Sequence, residues 1–223
     1  NEAEIPDDGI DNDFNGKVDD VRGWDFVNNA SNAANGEDGD DEDNDPSDYN
    51  GHGTHVAGLA AAVTDNGVGV SGGGWNCEIM PLRVGYETTD GTGSIQTSAV
   101  LKALQYSVDN GASVLNASFG GPFDDFAERD MMRYAFDNGV VVVKSAGNSN
   151  SDIGYSPDNE DFVLSVAAVR NNDQKAAYSN FGDWVKISAP GGNRGVGLRS
   201  TYPDDSYNSI WGTSMSGPVA AGI

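Results

Sequence analysis

Short runs of β-branched residues alternate with helix-length segments through most of this chain, and that alternation restricts it to an α/β architecture. Ile79 to Val84, Ser113 to Ala117, Val140 to Lys144 and Phe162 to Val169 are too short for helices and carry the composition of strands buried on both faces. Between them, Ser94 to Asn110 and Asp124 to Asn138 space their apolar residues as a helix does. Ser94 suits an N-cap, and Gly111 and Gly139 suit the stops. Such a succession predicts a mainly parallel sheet flanked by helices, joined by right-handed crossovers. No internal repeat is visible.

The first fifty residues behave differently. They are rich in Asp, Asn and Gly, lack a helical period, and read as loops around one apolar stretch, Val21 to Val27. Of the 35 acidic residues 17 lie here, against 2 of the 12 Lys and Arg. A net charge of −23 excludes nucleic acid as a partner, because phosphate contacts need clustered cations, and favours cations instead. The 223 residues, 37% of them hydrophobic, suffice for one sizeable core, and no apolar run reaches membrane-spanning length. One domain is expected, with residues 1–50 an acidic loop region and 51–223 the core. Cys77 stands alone, so no internal disulfide forms, and the start is neither basic nor apolar as a signal peptide would be.

Within the acidic region, Asp11, Asp13, Asn15 and Asp19 fall at the first, third, fifth and ninth positions of a loop with Gly16 at the sixth and Lys17 at the seventh. That is most of a calcium loop, since a hard cation takes several oxygens on a tightly turning backbone. The twelfth position is Arg22 where an EF-hand has Glu, so Asp20 is the candidate for the missing carboxylate and no EF-hand helix pair is implied. A solvated acidic loop is the alternative.

Two distant segments carry the chemistry. Asn50-Gly51-His52-Gly53-Thr54-His55-Val56-Ala57-Gly58 and Gly212-Thr213-Ser214-Met215-Ser216-Gly217-Pro218 each set a reactive side chain among small residues at a helix start. Singly, His52 and Ser214 read as ordinary helix-terminal residues. Together they supply a weak hydroxyl nucleophile and the imidazole that takes its proton, although 162 positions separate them.

Both segments resemble the boxes of the subtilisin-like serine proteases, the subtilases (peptidase family S8), H-G-T-H-V-A-G and G-T-S-M-A-x-P. The resemblance implies a three-layer fold, His52 as base, Ser214 as nucleophile, and His55 as a packing residue. The match departs at Ser216 and Gly217, where small side chains are kept. Lys144-Ser145-Ala146-Gly147-Asn148-Ser149 resembles the family's A-G-N segment and implies Asn148 as a donor to the oxyanion. Val114 to Gly121 resembles the strand ending S-L-G-G, and Asp90-Gly91-Thr92-Gly93 the D-G-x-G segment. They imply peptide binding by Ser118, Phe119 and Gly120 and by Gly91, Thr92 and Gly93. Gly120 and Gly154 are implied to hold open a pocket for a large apolar side chain before the cut. Plain turns after strands are the alternative for these glycines. Asp43, Asp45 and Asp48 resemble a second calcium loop, with an acidic linker as the alternative, and Thr64 to Val70 resembles the family's strong calcium site.

The family's orienting aspartate lies in D-[ST]-G-[IV] at the end of an apolar strand. Asp7-Asp8-Gly9-Ile10 is the nearest match, but it follows a polar segment ending in Pro6. The triad Asp is therefore expected upstream of Asn1, with Asp7 the weaker alternative. Ile223 follows Ser214 by nine residues, where the serine's helix is expected to run several turns further. The chain reads as a fragment of the catalytic domain, truncated at both ends and inactive by itself. The reading is a secreted, monomeric, calcium-stabilised serine endopeptidase acting on proteins or peptides, without an organic cofactor. A non-catalytic calcium-binding pseudoprotease or adhesion module is the alternative. An α/β-hydrolase esterase is disfavoured, because Ser214 is not in G-x-S-x-G and His precedes Ser.

Overall fold

The computed structural model describes residues 1–223 and comprises two compact units, Asn1–Gly53 with Met80–Gly111, and Thr54–Ile79 with Ala112–Ile223. The division differs from the expected boundary after residue 50: the segment from Met80 to Gly111 joins the acidic loops. Strand pairing and one buried cation account for this.

In the first unit, β1 (Trp24–Asp25) pairs in parallel with β2 (Leu82–Arg83), and β3 (Gly85–Glu87) pairs antiparallel with β4 (Gly93–Ile95). Of the run Ile79 to Val84, only Leu82 and Arg83 enter a strand. Helix α2 (Thr97–Asp109) buries Ala99, Ala103 and Tyr106, one helical stripe, against Trp24 and Phe26, with Leu82 and Val84 packed alongside. Its N-cap is Gln96 and not Ser94, because Ser94 is held in β4 opposite Tyr86. The expected stop holds: Asn110 ends the helix and Gly111 takes φ +78°, a conformation that costs glycine little.

Arg83 is the buried cation. Its guanidinium bonds the carboxylates of Asp25 and Glu37 and the carbonyl of Asp38, all acidic-region residues. Burial still pushes Asp25 up to about 6, with the Val27 N–H and Arg83 opposing it. A fork of five donors matches this set, and an aliphatic residue cannot. Replacing Arg83 with Met leaves two buried carboxylates without their cation; the expected loss is about 3–5 kcal/mol of unfolding free energy, read from urea denaturation.

The second unit is built on a four-stranded parallel sheet in the order β5 (Val114–Ala117), β6 (Val141–Ser145), β7 (Val163–Val169), β8 (Ile187–Pro190). Helix α3 (Phe126–Asp137) and helix α4 (Thr213–Ala221) cover it, and β9 (Leu198–Tyr202) forms a hairpin with β10 (Ser206–Ile210). Val143, Val166 and Ala189 pack against Val219, Ala220 and Ala221 of α4. The next residue of β6, Lys144, meets Glu128 of α3. Adjacent strand residues point to opposite faces, so the two helices flank opposite sides of the sheet and the unit has three layers. Asp125 caps α3 by accepting from the Glu128 N–H, and Gly139 follows its C-cap at φ +86°.

Candidate active site

Serine 214 is the second residue of α4, and the chemistry around it is set by its neighbours. Gly212 precedes the helix at φ +153°, within the range that favours glycine. Thr213, fully buried, donates from both its N–H and its hydroxyl to Asn148 Oδ1, at 2.8 and 2.9 Å, and accepts from the Gly147 N–H at 3.0 Å. Two donors on one oxygen fix the Asn148 amide and turn its Nδ2 away from Thr213. A Cβ placed on Gly212 would lie 3.5 Å from Asn148 Nδ2 and 3.7 Å from the Ser214 backbone nitrogen. Asn148 Oδ1 also lies 3.7 Å away but is taken up by Thr213, so the N–H groups bordering the space are Asn148 Nδ2 and Ser214 N, the latter at a helix N-terminus, where partial positive charge accumulates.

Pro218 controls the backbone of the serine itself. Lacking an N–H, it cannot bond the carbonyl four residues earlier, which is that of Ser214. The Ser118 hydroxyl does so instead, at 2.9 Å, and the Ser214 hydroxyl faces the Ser118 carbonyl at 3.2 Å. Asn116 Nδ2 donates to Ser118 Oγ at 3.0 Å and so orients it. The small residues at 216 and 217 follow from packing. Ser216 is fully buried and donates to the Thr213 carbonyl at 2.9 Å, and a Cβ on Gly217 would come within 3.0 Å of Asn116 Oδ1.

His52 opens helix α1 (His52–Ala61), half-buried in its first turn. Gly51 before it takes φ +89° and donates its N–H to Asp48 Oδ1 at 2.8 Å. His55, one turn on, is fully buried with Nε2 3.0 Å from the Leu198 carbonyl; burial holds it below the ordinary histidine pKa, the hydrogen bonds opposing. Ser200 and Thr201 of β9 donate to the carbonyls of His55 and Thr54, both at 2.8 Å, and a Cβ on Gly58 would overlap their hydroxyls. The spacing of the histidine segment therefore seats a helix directly on a strand.

The second unit thus brings together Ser214, Asn148, Ser118 and Phe119. Gly120 is exposed beside them, whereas the bare face of Gly154 lies against the Trp184 indole. In the first unit, Gly91 and Thr92 form the turn between β3 and β4, with Gly93 opening β4. Asp90 accepts from the Thr88 hydroxyl at 2.6 Å and the Thr92 hydroxyl at 2.7 Å, bonds that hold its pKa below the ordinary value. Asp7 lies exposed at φ +62° and follows no strand.

The acidic loop gathers differently from its spacing. Asp11 accepts the N–H groups of Asn15 and Gly16, and Asp19 those of Asp8 and Gly9, so both carboxylates hold turns. Ligand oxygens of Asp13, Asp20 and Glu4 instead lie within 4.8 Å of one another. Glu4 had no place in the loop pattern; it sits seven residues before the pattern starts. Asp43 is gathered with Asp25 and Asp38, while Asp45 accepts from Ser47 and Asp48 from Gly51.

Residues 5–223 match the Subtilase family. The chain belongs to the subtilase family. It is 37% identical to thermitase of Thermoactinomyces vulgaris, over 95% of this chain and 67% of that protein. It is 37% identical to a thermophilic serine proteinase of Bacillus sp. strain AK1, over 100% and 50%, and 40% identical to subtilisin DY of Bacillus licheniformis, over 77% and 61%. The chain thus spans between half and two-thirds of the length of these relatives. Among solved structures, a protease of Pseudoalteromonas arctica PAMC 21717 superposes with a TM-score of 0.78 at 33% identity, covering 90% of this chain and 69% of that one. The α/β subtilisin-like fold is therefore this subtilase's own.

In this subtilase the Ser118 hydroxyl is the donor that replaces the N–H missing at Pro218. Changing Ser118 to Ala strands the Ser214 carbonyl, with an expected cost of about 1–3 kcal/mol in chemical denaturation, whereas Ser118→Thr retains most of the stability.

Proposed function

We propose that this subtilase is a serine endopeptidase. The observation that carries the reading is the pair of N–H groups, Asn148 Nδ2 and Ser214 N, that border the space at Gly212, two residues before the serine in the chain. Such donors suit the oxygen of a tetrahedral acyl intermediate. In the proposed reaction His52 takes the Ser214 proton as Oγ attacks the peptide carbonyl, and the carbonyl electrons move onto the oxygen held by those two donors. His52 then passes the proton to the departing amine, leaving an acyl-serine. Water, deprotonated by His52, attacks the acyl-serine and releases the new carboxylate. The carboxylate that orients His52 is proposed to lie upstream of Asn1; the exposure of Asp7, which follows no strand, supports that reading. Extended peptides are the proposed substrates, with Ser118 to Gly120 and Gly91 to Gly93 supplying main-chain partners. The protein is proposed to act outside the cell as a monomer; no helix is long and apolar enough to cross a membrane.

Calcium is proposed as a structural ion. The donor set fits: Asp13 and Asp20 converge hard oxygens with Glu4, whose carboxylate also accepts the N–H groups of Asn12, Asp13 and Asp19. Asp13 and Asp20 accept from the uncharged amides of Asn1 and Asn15, and Asp20 also from the Tyr106 hydroxyl. A divalent cation would neutralise the repulsion among these carboxylates and pin the loop. Protein stripped with a chelator is expected to gain about 2.7 kcal/mol at calcium one-hundredfold above its Kd, and Asp13→Asn with Asp20→Asn to gain nothing; an equal gain in that double variant would overturn the assignment.

The catalytic reading is tested by fluorophosphonate labelling and peptide turnover of the full-length protein. Both are expected to vanish in Ser214→Ala. Asn148→Ala is expected to keep labelling while lowering kcat about 10²–10³-fold, a magnitude taken from the corresponding loss in a subtilisin and not from this chain. Equal labelling after Ser214→Ala would refute the reading by placing the nucleophile elsewhere, and no labelling of the wild type would favour a non-catalytic module.

A further inference from the structure

The loop that carries Asn148 is held by the side-chain amide of Asn180. Asn180 Oδ1 accepts the N–H groups of Ser149 at 2.9 Å and Ser151 at 3.0 Å, and its Nδ2 donates to the Ala146 carbonyl at 2.8 Å. The Asn180 backbone N–H donates to the Gly147 carbonyl at 2.9 Å. One residue thus bonds the backbone on both sides of Asn148, from Ala146 to Ser151, and none of these bonds is to Asn148 itself. Gly147 completes the fit. It takes φ +97°, a conformation that favours glycine, and a Cβ there would come within 2.5 Å of Asn180 Nδ2.

The clamp is itself anchored to the sheet. Ser179, fully buried, accepts the Ala168 N–H of β7 at 2.9 Å and donates to the Asn180 carbonyl at 2.9 Å. On either side of the clamp the Asn150 N–H donates to the Tyr178 carbonyl at 2.8 Å, and the Phe181 N–H to the Ser151 carbonyl at 2.9 Å. The residue type follows from what the loop offers. Two N–H groups and one carbonyl face position 180, and an amide of this length answers all three. Aspartate would keep the two accepting contacts and lose the donation to Ala146, and alanine would leave all three groups without this partner.

We propose that Asn180 is a positioning residue for the oxyanion donor: it fixes the loop on both sides of Asn148 so that Nδ2 stays beside the Ser214 N–H. The proposal rests on the endopeptidase reading, in which those two donors receive the oxygen. Thr213 sets which way the Asn148 amide faces, whereas Asn180 ties the backbone beneath it to the segment anchored on β7. Donors held in advance need no reorganisation as charge develops, and a misplacement of about 1 Å costs up to about 10²-fold in rate. Because the oxyanion exists only beyond the ground state, the loss falls on kcat and spares KM.

The test uses the full-length enzyme and one peptide aminocoumarin amide, with kcat and KM measured for wild type, Asn180→Ala, Asn148→Ala and the double variant. Asn180→Ala is expected to lower kcat about tenfold to 10²-fold while KM stays within about threefold. In the Asn148→Ala background the same change is expected to lower kcat by less than about threefold, since the donor it positions is gone. An equal fall in both backgrounds, a loss carried by KM, or no loss at all overturns the proposal. Fluorophosphonate labelling of Ser214 in that event leaves the endopeptidase reading standing. No turnover and no labelling of the wild type overturns both. Should Asn180→Ala fail to fold, Asn180→Asp goes through the same cycle; failure of both to fold makes Asn180 part of the scaffold alone and overturns the assignment.

Discussion

The hydrogen bonds from Thr213 to Asn148 Oδ1 are the constraint on which the arrangement of the second unit turns. They join the N-terminus of α4 to the loop leaving β6 and fix which way the Asn148 amide faces. Because the oxygen is taken up by Thr213, the nitrogen is left beside Gly212, where the Ser214 N–H also borders the space. The rest of the segment serves this junction. Pro218 frees the Ser214 carbonyl for Ser118, and Ser216 and Gly217 let the helix lie close to the sheet. A side chain at Gly212 would both strain the backbone and fill the space the two donors surround.

Cations are scarce in this chain, and two of them are buried against acids. Arg83 gathers Asp25, Glu37 and the Asp38 carbonyl, which draws the segment after Met80 into the acidic unit. Lys144 gathers Glu128 and Asp158 across one face of the parallel sheet. Both clusters hold more carboxylate than cation. Burial raises the pKa of one acid in each, Asp25 and Asp158. In each cluster a backbone carbonyl completes the cation's set, that of Asp38 for Arg83 and that of Phe119 for Lys144.

Much of this was legible in the sequence, for reasons particular to each element. The strands at 141–145 and 163–169 announce themselves because they are largely buried on both faces and so read as runs rich in valine, and 114–117, at the sheet's edge, shows in its Val-Leu pair. Ile187–Pro190 lies at the sheet's edge with three of its four residues exposed, and its composition gives no such signal. Ser94 suits an N-cap by residue type, but pairing with Tyr86 decides its place, and pairing partners are not local. At the site, Ser214, His52 and Asn148 stand in segments with recognisable spacing. The parts played by Thr213, Ser118 and Lys144 depend on residues 14 to 96 positions away and become visible only in the fold. In the acidic loop the spacing pointed to Asp11 and Asp19, yet these two carboxylates hold backbone N–H groups away from the cluster, whereas Glu4, which also holds the N–H groups of Asn12, Asp13 and Asp19, lies beside Asp13 and Asp20.

The central claim is that Asn148 Nδ2 and the Ser214 N–H together receive the oxyanion of an acyl-transfer intermediate. A crystal structure of the full-length enzyme with a peptide boronic acid tests it most directly, since a tetrahedral boronate mimics that intermediate. The account predicts boron bonded to Ser214 Oγ and one boronate oxygen within hydrogen-bond distance of both nitrogens. Boron bonded elsewhere, or to Ser214 with every oxygen turned away from Asn148, would contradict it.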